Sequence, residues 1–177
     1  MGGVFIMAIL KLEKYGSSVL REKSLPVDKI DDEIRRLVQD MIETMYAESG
    51  VGLAAPQVGI SKRIIVIDTE EEGVIVLINP VIVKKEGELH EEEGCLSVPG
   101  VYSPVRRFSR VTVEAMDLNE KKFQITQEGM LAIALQHEID HLNGYLFVDR
   151  LNPARRLMLK DELKNIEEGK QDEVIRE

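Results

Sequence analysis

The stretch Gln136-His137-Glu138-Ile139-Asp140-His141 constrains this chain more than any other. On a helix, His137 and His141 stand one above the other on a single face, with Cβ atoms about 5–6 Å apart. Two imidazoles so placed converge on one metal ion, and Glu138 projects beside them, able to reach a metal-bound water without being a ligand. This is the His-Glu-x-x-His arrangement of metal-dependent hydrolysis. The preceding residues, Met130 to Leu135, are apolar nearly all round, which suits a buried helix. Gly144 stands where a left-handed cap would end it. A buried helix that carries His, Glu, Asp and His in its last turns needs partners for them, and a metal supplies partners.

The rest of the composition fits a single domain over residues 1–177 with a sizeable core. A net charge of −9 argues against a broad basic surface for nucleic acid, so DNA binding is not expected. One cysteine allows no intrachain disulfide and fits a reducing, cytoplasmic setting. Met1 to Leu10 is apolar but lacks a leading positive charge and is too short to span a membrane. Met7 offers an alternative start, which would make residues 1–6 an extension, and residues 165–177 form an acidic tail expected to fray.

Along the chain, Ala8 to Arg21 contains a short strand-like piece and a turn. Asp31 or Asp32 can cap a helix whose apolar positions Ile34, Leu37, Val38, Met41, Ile42 and Met45 recur at helical spacing. The small-residue stretch from Gly50 to Gly59 follows. It is either a tight packing turn with Gln57 facing water or a backbone that lets something approach closely. Arg63 to Asp68 and Val74 to Val83 read as a hairpin, with Pro80 favouring an edge or bulge. Lys84 to Glu93, including His90, reads as a solvated charged face. Val111 to Met116 and Lys122 to Ile125 form another strand pair, Tyr145 to Val148 a short strand, and Pro153 starts a final helix through Leu163. Short, mainly antiparallel strands around a central metal-binding helix, with an N-terminal and a C-terminal helix, make an α+β fold.

A catalytic metal usually has three protein ligands, and the helix supplies two. Cys95, in Glu93-Gly94-Cys95-Leu96-Ser97, is the natural third as a thiolate, with Glu162 as the alternative.

Together, three motifs resemble those of the peptide deformylases, which remove the formyl group from nascent chains: Gly50 to Gln57, Glu93 to Ser97, and Gln136 to His141. The resemblance runs from about Met7 to the last helix. It implies metal ligation by Cys95, His137 and His141, with ferrous iron as the usual ion and nickel, cobalt or zinc as substitutes. It implies Glu138 as general base and acid, and the Gln57 amide with the Leu96 backbone N–H as oxyanion donors. The methionine side chain of the substrate would meet Val51, Met130, Ile133 and Ala134, while Gly52 and Gly94 would pair with the peptide as an added strand. Glu93 is expected to be a structural anchor and Asp140 a support residue, paired with Arg107. Arg106 and Arg107 otherwise read as surface cations.

Two departures stand out. Gly16-Ser17-Ser18 replaces the family's frequent Gly-Asp-Pro. Basic residues Arg155, Arg156 and Lys160 are followed by an acidic tail, so the basic-helix mode by which some members dock on the ribosome is not carried over, while a transient ribosome contact of another kind stays open. A metallopeptidase cutting ordinary peptide bonds and a metal-stapled binding protein are the competing readings. The first would need room for an acyl group where a deformylase needs room for a hydrogen.

Overall fold

The computed structural model describes residues 8–70 and 73–170, so the proposed extension over 1–6 and the last part of the acidic tail lie outside the described residues. Its centre is an antiparallel sheet in the order β1-β2-β3-β6-β7, comprising β1 (Gly52–Ala54), β2 (Ile64–Asp68), β3 (Val74–Glu86), β6 (Arg110–Met116) and β7 (Lys122–Glu128). β2 is apolar on both faces because it is covered on both. Ile64 and Val66 pack with Val38, Met41 and Met45 of α1 (Asp32–Ala47), while Ile65 and Ile67 pack with Leu135, Ile139 and Leu142 of α2 (Gly129–Leu142). Asp31 caps α1 by accepting from the Ile34 N–H at 3.0 Å. β2 and β3 form the expected hairpin, and the ladder of β3 with β6 shifts register between Ile78 and Val81, around Pro80.

A second, two-stranded sheet pairs β4 (Leu89–Cys95) with β5 (Val98–Arg107) through the two-residue turn Leu96-Ser97. The charged segment read as a solvated face is therefore the end of β3 and nearly all of β4. Its acids are largely exposed, but Glu93 is buried. Under this hairpin lies a further core of Val98, Val101, Val105, Phe147, Leu159, Leu163 and Ile166.

Four other expectations are corrected. No strand forms among the described residues Ala8 to Arg21, where Ser18–Arg21 makes a 3-10 turn. Tyr145 to Val148 is not a strand, because Phe147–Arg150 closes a 3-10 turn that buries Phe147 and Val148; Asp149 stabilises it by accepting from the Leu146 N–H at 2.8 Å. The final helix is broken into α3 (Pro153–Met158) and α4 (Lys160–Glu167) at Leu159, which drops into the core. Arg107 is not a surface cation: only 6% of it is exposed.

Candidate metal centre and active-site cleft

α2 is the element that builds the site. Gly144, with φ +79°, ends its last turn, and a Cβ there would sit 2.5 Å from the Arg21 carbonyl oxygen, so the position needs glycine for conformation and for space. Gln136 through Leu142 are all buried. Within that buried run, His141 Nε2 lies 3.2 Å from His137 Nε2 and 3.3 Å from Cys95 Sγ. The three ligand atoms lie within 4.8 Å of one another. Glu162, on α4, is exposed and is not part of this group.

The imidazoles are held differently. His137 Nδ1 is 2.8 Å from Glu93 Oε2, which leaves Nε2 to face Cys95 and His141. Glu93 is itself held by Arg107, whose Nε and Nη2 donate to its two oxygens at 2.6 and 3.0 Å. Arg107 Nη1 also donates to Asp140 at 2.6 Å, and Asp140 accepts a second cation, Arg150. Asp140 is thus turned away from the ligands and paired with Arg107, as its place in the motif predicts. Gln136 extends the frame by bonding both backbone groups of Phe108.

Protonation follows from these contacts. Burial would raise Glu93, but its bonds to His137 and Arg107 prevail and hold it at about 2. Burial pushes Glu138 up to about 7, assisted by the nearby Glu93 charge. It also drives His141 well below the ordinary histidine range, leaving a neutral ring with a lone pair to offer. Burial pulls His137 the same way, but contacts with Cys95 and Glu93 reverse the direction.

Gln57 is buried, which removes the reading in which it faces water. Its Oε1 accepts the Ala54 N–H at 2.9 Å, so the amide must present Nε2 to the opposite side. There Nε2 lies 3.6 Å from Cys95 Sγ and 3.3 Å from Ser97 Oγ. Leu96 is in the β4–β5 turn, its carbonyl pinned by Lys14 Nζ at 3.0 Å. Glu138 Oε2 is buried and has no partner among the described residues.

Gln57, Cys95, Leu96, His137 and Glu138 line a cleft of about 480 Å³, which also takes in Val51, Gly52, Gly94, Met130, Ile133 and Ala134. Gly52 is tightly constrained, because a Cβ there would be 2.7 Å from Glu138 Oε1. The family model described as polypeptide deformylase matches residues 9–157. The chain belongs to the polypeptide deformylase family. A peptide deformylase of Thermodesulfovibrio yellowstonii is 47% identical over 162 residues, covering 89% of this chain and 98% of that protein. A peptide deformylase of Halothermothrix orenii is 54% identical over 146 residues, covering 82% of this chain and 95% of that one. The crystal structure of a peptide deformylase from Legionella pneumophila superposes with a TM-score of 0.86 at 48% identity, covering 93% of this chain and 98% of that one.

Sequence reasoning missed the depth of the deformylase chain's buried ion network. Its signal was present in β5, where Val101, Ser103, Val105 and Arg107 alternate with exposed residues, so the period of two places Arg107 inward. Lys14 and Arg150 carried no such signal, since their partners are distant or lie across an irregular turn.

Proposed function

We propose that this chain hydrolyses the N-formyl group from the terminal methionine of newly synthesised polypeptides, with Cys95, His137 and His141 holding one divalent metal ion. The hydrolase class follows from membership of the deformylase family. The observation that carries the site assignment is the convergence of one sulfur and two ring nitrogens beside the Gln57 amide and the unpartnered Glu138 carboxylate. A half-buried cysteine sulfur and two buried imidazoles in contact offer three donor atoms to one point, a donor set suited to a divalent transition metal. Ferrous iron is the ion assigned to it, and zinc, nickel or cobalt suit the same donors. Such an ion supplies Lewis-acid polarisation of the formyl oxygen and makes water nucleophilic near neutral pH.

The remaining work belongs to the chain. Glu138 takes a proton from the attacking water at its free oxygen and gives it to the departing amine nitrogen, as the C–N bond breaks and formate leaves. The pull of burial on this carboxyl is the direction that a group exchanging protons near neutrality requires. Gln57 Nε2 and the Leu96 N–H donate to the oxygen as it becomes negative, and the loss of one such donor typically costs about 3–4 kcal/mol of barrier. The peptide lies along Gly52 and Gly94 as an added strand, with its methionine side chain among Val51, Met130, Ile133 and Ala134.

Formylated nascent peptides are thus the partners. No helix among the described residues is long and apolar enough to cross a membrane. Ribosome docking through the last helices is not part of the proposal: Arg156 pairs with Asp149, and the acids Asp161, Glu162 and Glu167 follow on α4.

The test is formate release from an N-formyl-methionyl tripeptide, with the N-acetyl peptide and a Glu138→Ala variant alongside. Release from the formyl peptide alone, by the parent and not by a variant that keeps its metal, is the expected outcome. Undiminished turnover by the variant would remove Glu138 from the mechanism, and cleavage of the acetyl peptide at a similar rate would remove the formyl specificity.

A further inference from the structure

Among the described residues β7 bonds to β6 alone, so the five-stranded sheet ends there on a free edge of seven residues. No residue of β7 lines the cleft, which sets this edge apart from the short β1 edge at Gly52. The side chains of β7 alternate. Lys122, Gln124, Thr126 and Glu128 are exposed, whereas Phe123, Ile125 and Gln127 are half-buried. Phe123 and Ile125 continue the apolar layer that Val111, Val113 and Ala115 form against α2, and the layer then stops at the open edge.

A lysine on a free edge ordinarily guards it against pairing. Lys122 does not guard β7 against a second copy of the same strand. In an antiparallel pairing of β7 with itself about a two-fold axis at Ile125, Lys122 stands opposite Glu128 at both ends, Gln124 opposite Thr126, and Ile125 meets its own counterpart. Exposed residues then fall on one face and half-buried residues on the other. Neighbouring registers fail. A slip of one residue sets the apolar face of one copy against the polar face of the other. A shift of two residues one way brings Glu128 up to Glu120, and the other way sets Glu128 opposite Gln124 and Lys122 opposite Met130. Both charges are available: Lys122 enters no ion pair among the described residues, and the largely exposed Glu128 meets only the exposed Arg110, at 3.1 Å.

We propose that β7 is an interface between two copies of this chain, joining their five-stranded sheets edge to edge. The charge pattern names the occupant, because it is complementary to itself. Seven residues a side, held by main-chain bonds, an apolar contact at the axis and two Lys122–Glu128 pairs, make a small interface, so dimers form at about 10–100 μM protein. β7 runs directly into α2, and the same register therefore carries the β6–β7 turn of the partner subunit alongside Met130, an exposed residue at the rim of the cleft. The interface thus adjoins the site without closing it.

The experiment is sedimentation velocity of the full-length, metal-loaded protein over protein concentrations spanning that range, with K122E and E128K measured separately and as an equimolar mixture. The parent is expected to show a reversible monomer–dimer equilibrium. Each single variant should dimerise more weakly by roughly tenfold or more, since its substitution turns two attractive pairs into two repulsive ones. The mixture should regain the parental dimer, because each variant supplies the charge that the other lacks. A parent that stays monomeric throughout, as it would if another segment of the chain covered the edge, overturns the inference. So does a dimer that K122E and E128K leave as tight as before, or a mixture no more associated than its separate components.

Discussion

Gly52 and Gln57 show how much chemistry depends on single atoms. The Gly52 Cα lies against the Glu138 carboxylate, and a methyl group in that space would meet Oε1 at 2.7 Å and Cγ at 3.0 Å. Because Glu138 is buried, its carboxylate has little room to retreat. On the proposed role of Glu138 as general base, Gly52→Ala is therefore expected to lower kcat by on the order of 100-fold. The unfolding temperature should fall as well, by roughly 2–12 °C, because overpacking a buried site costs about 1–3 kcal/mol. A variant with parental kcat would show that Glu138 has another productive position. Gln57→Ala should lower kcat by about 100- to 1000-fold, with KM for the formyl peptide changing much less, since the proposed role of its amide is to donate to charge that develops only during reaction. A loss confined to KM would assign the amide to substrate binding instead. Both positions lie in a stretch whose sequence left two readings open. Glycines and alanines reveal close approach, but what approaches comes from residue 138, far along the chain.

At the scale of elements, legibility followed the source of the ordering force. The apolar stripe of α1 and the apolar run of β2 announce themselves, because burial against a neighbouring layer dictates their periodicity. β4 does not. Its Glu91-Glu92-Glu93 run is a strand because β5 pairs with it, and hydrogen bonds between main chains leave no mark on composition. The break at Leu159 was equally silent, since it serves a core completed by residues more than 50 positions earlier, Val98, Val101 and Val105. What fixes β4 and β5 against α2 is the ion network, and this has a pH signature. Glu93 is held at about 2 against an ordinary value of 4.5, which corresponds to roughly 3 kcal/mol. A depressed folded-state value contributes stability that is present above the unfolded value and lost as pH falls through the folded one. The Glu93→Gln protein should thus be less stable than the parent at pH 7, with the difference narrowing between about pH 5 and pH 2. Denaturant melts of both proteins across that range, with chelator present, measure it. A difference that stays constant down to pH 2 would show that the Glu93 charge has no role in the pairing.

Across the whole molecule, the two sheets meet over an interface that is unusually polar. α2 buries aliphatic side chains against the five-stranded sheet, but towards the β4–β5 hairpin it offers Gln136, His137, Asp140 and His141, which meet Phe108 backbone, Glu93, Arg107 and Cys95. Apolar burial therefore holds α2 to one sheet far more firmly than to the other. An ion bound by His137 and His141 on the helix and Cys95 on the hairpin would join the two halves across this seam, and its binding energy would become folding energy. At free ion about a thousandfold above its dissociation constant, the stabilisation is about 4 kcal/mol. For a chain of this size that is a Tm higher by roughly 8–16 °C. Calorimetry of chelated and reloaded protein should show this rise, and it should grow with ion concentration. In Cys95→Ala the ion would hold the helix alone, so the rise should be largely lost even if the histidines still bind metal. A Tm that does not respond to the ion in the parent would mean that the polar seam is already rigid without it, and that the Glu93–Arg107–Asp140 network alone aligns the ligands.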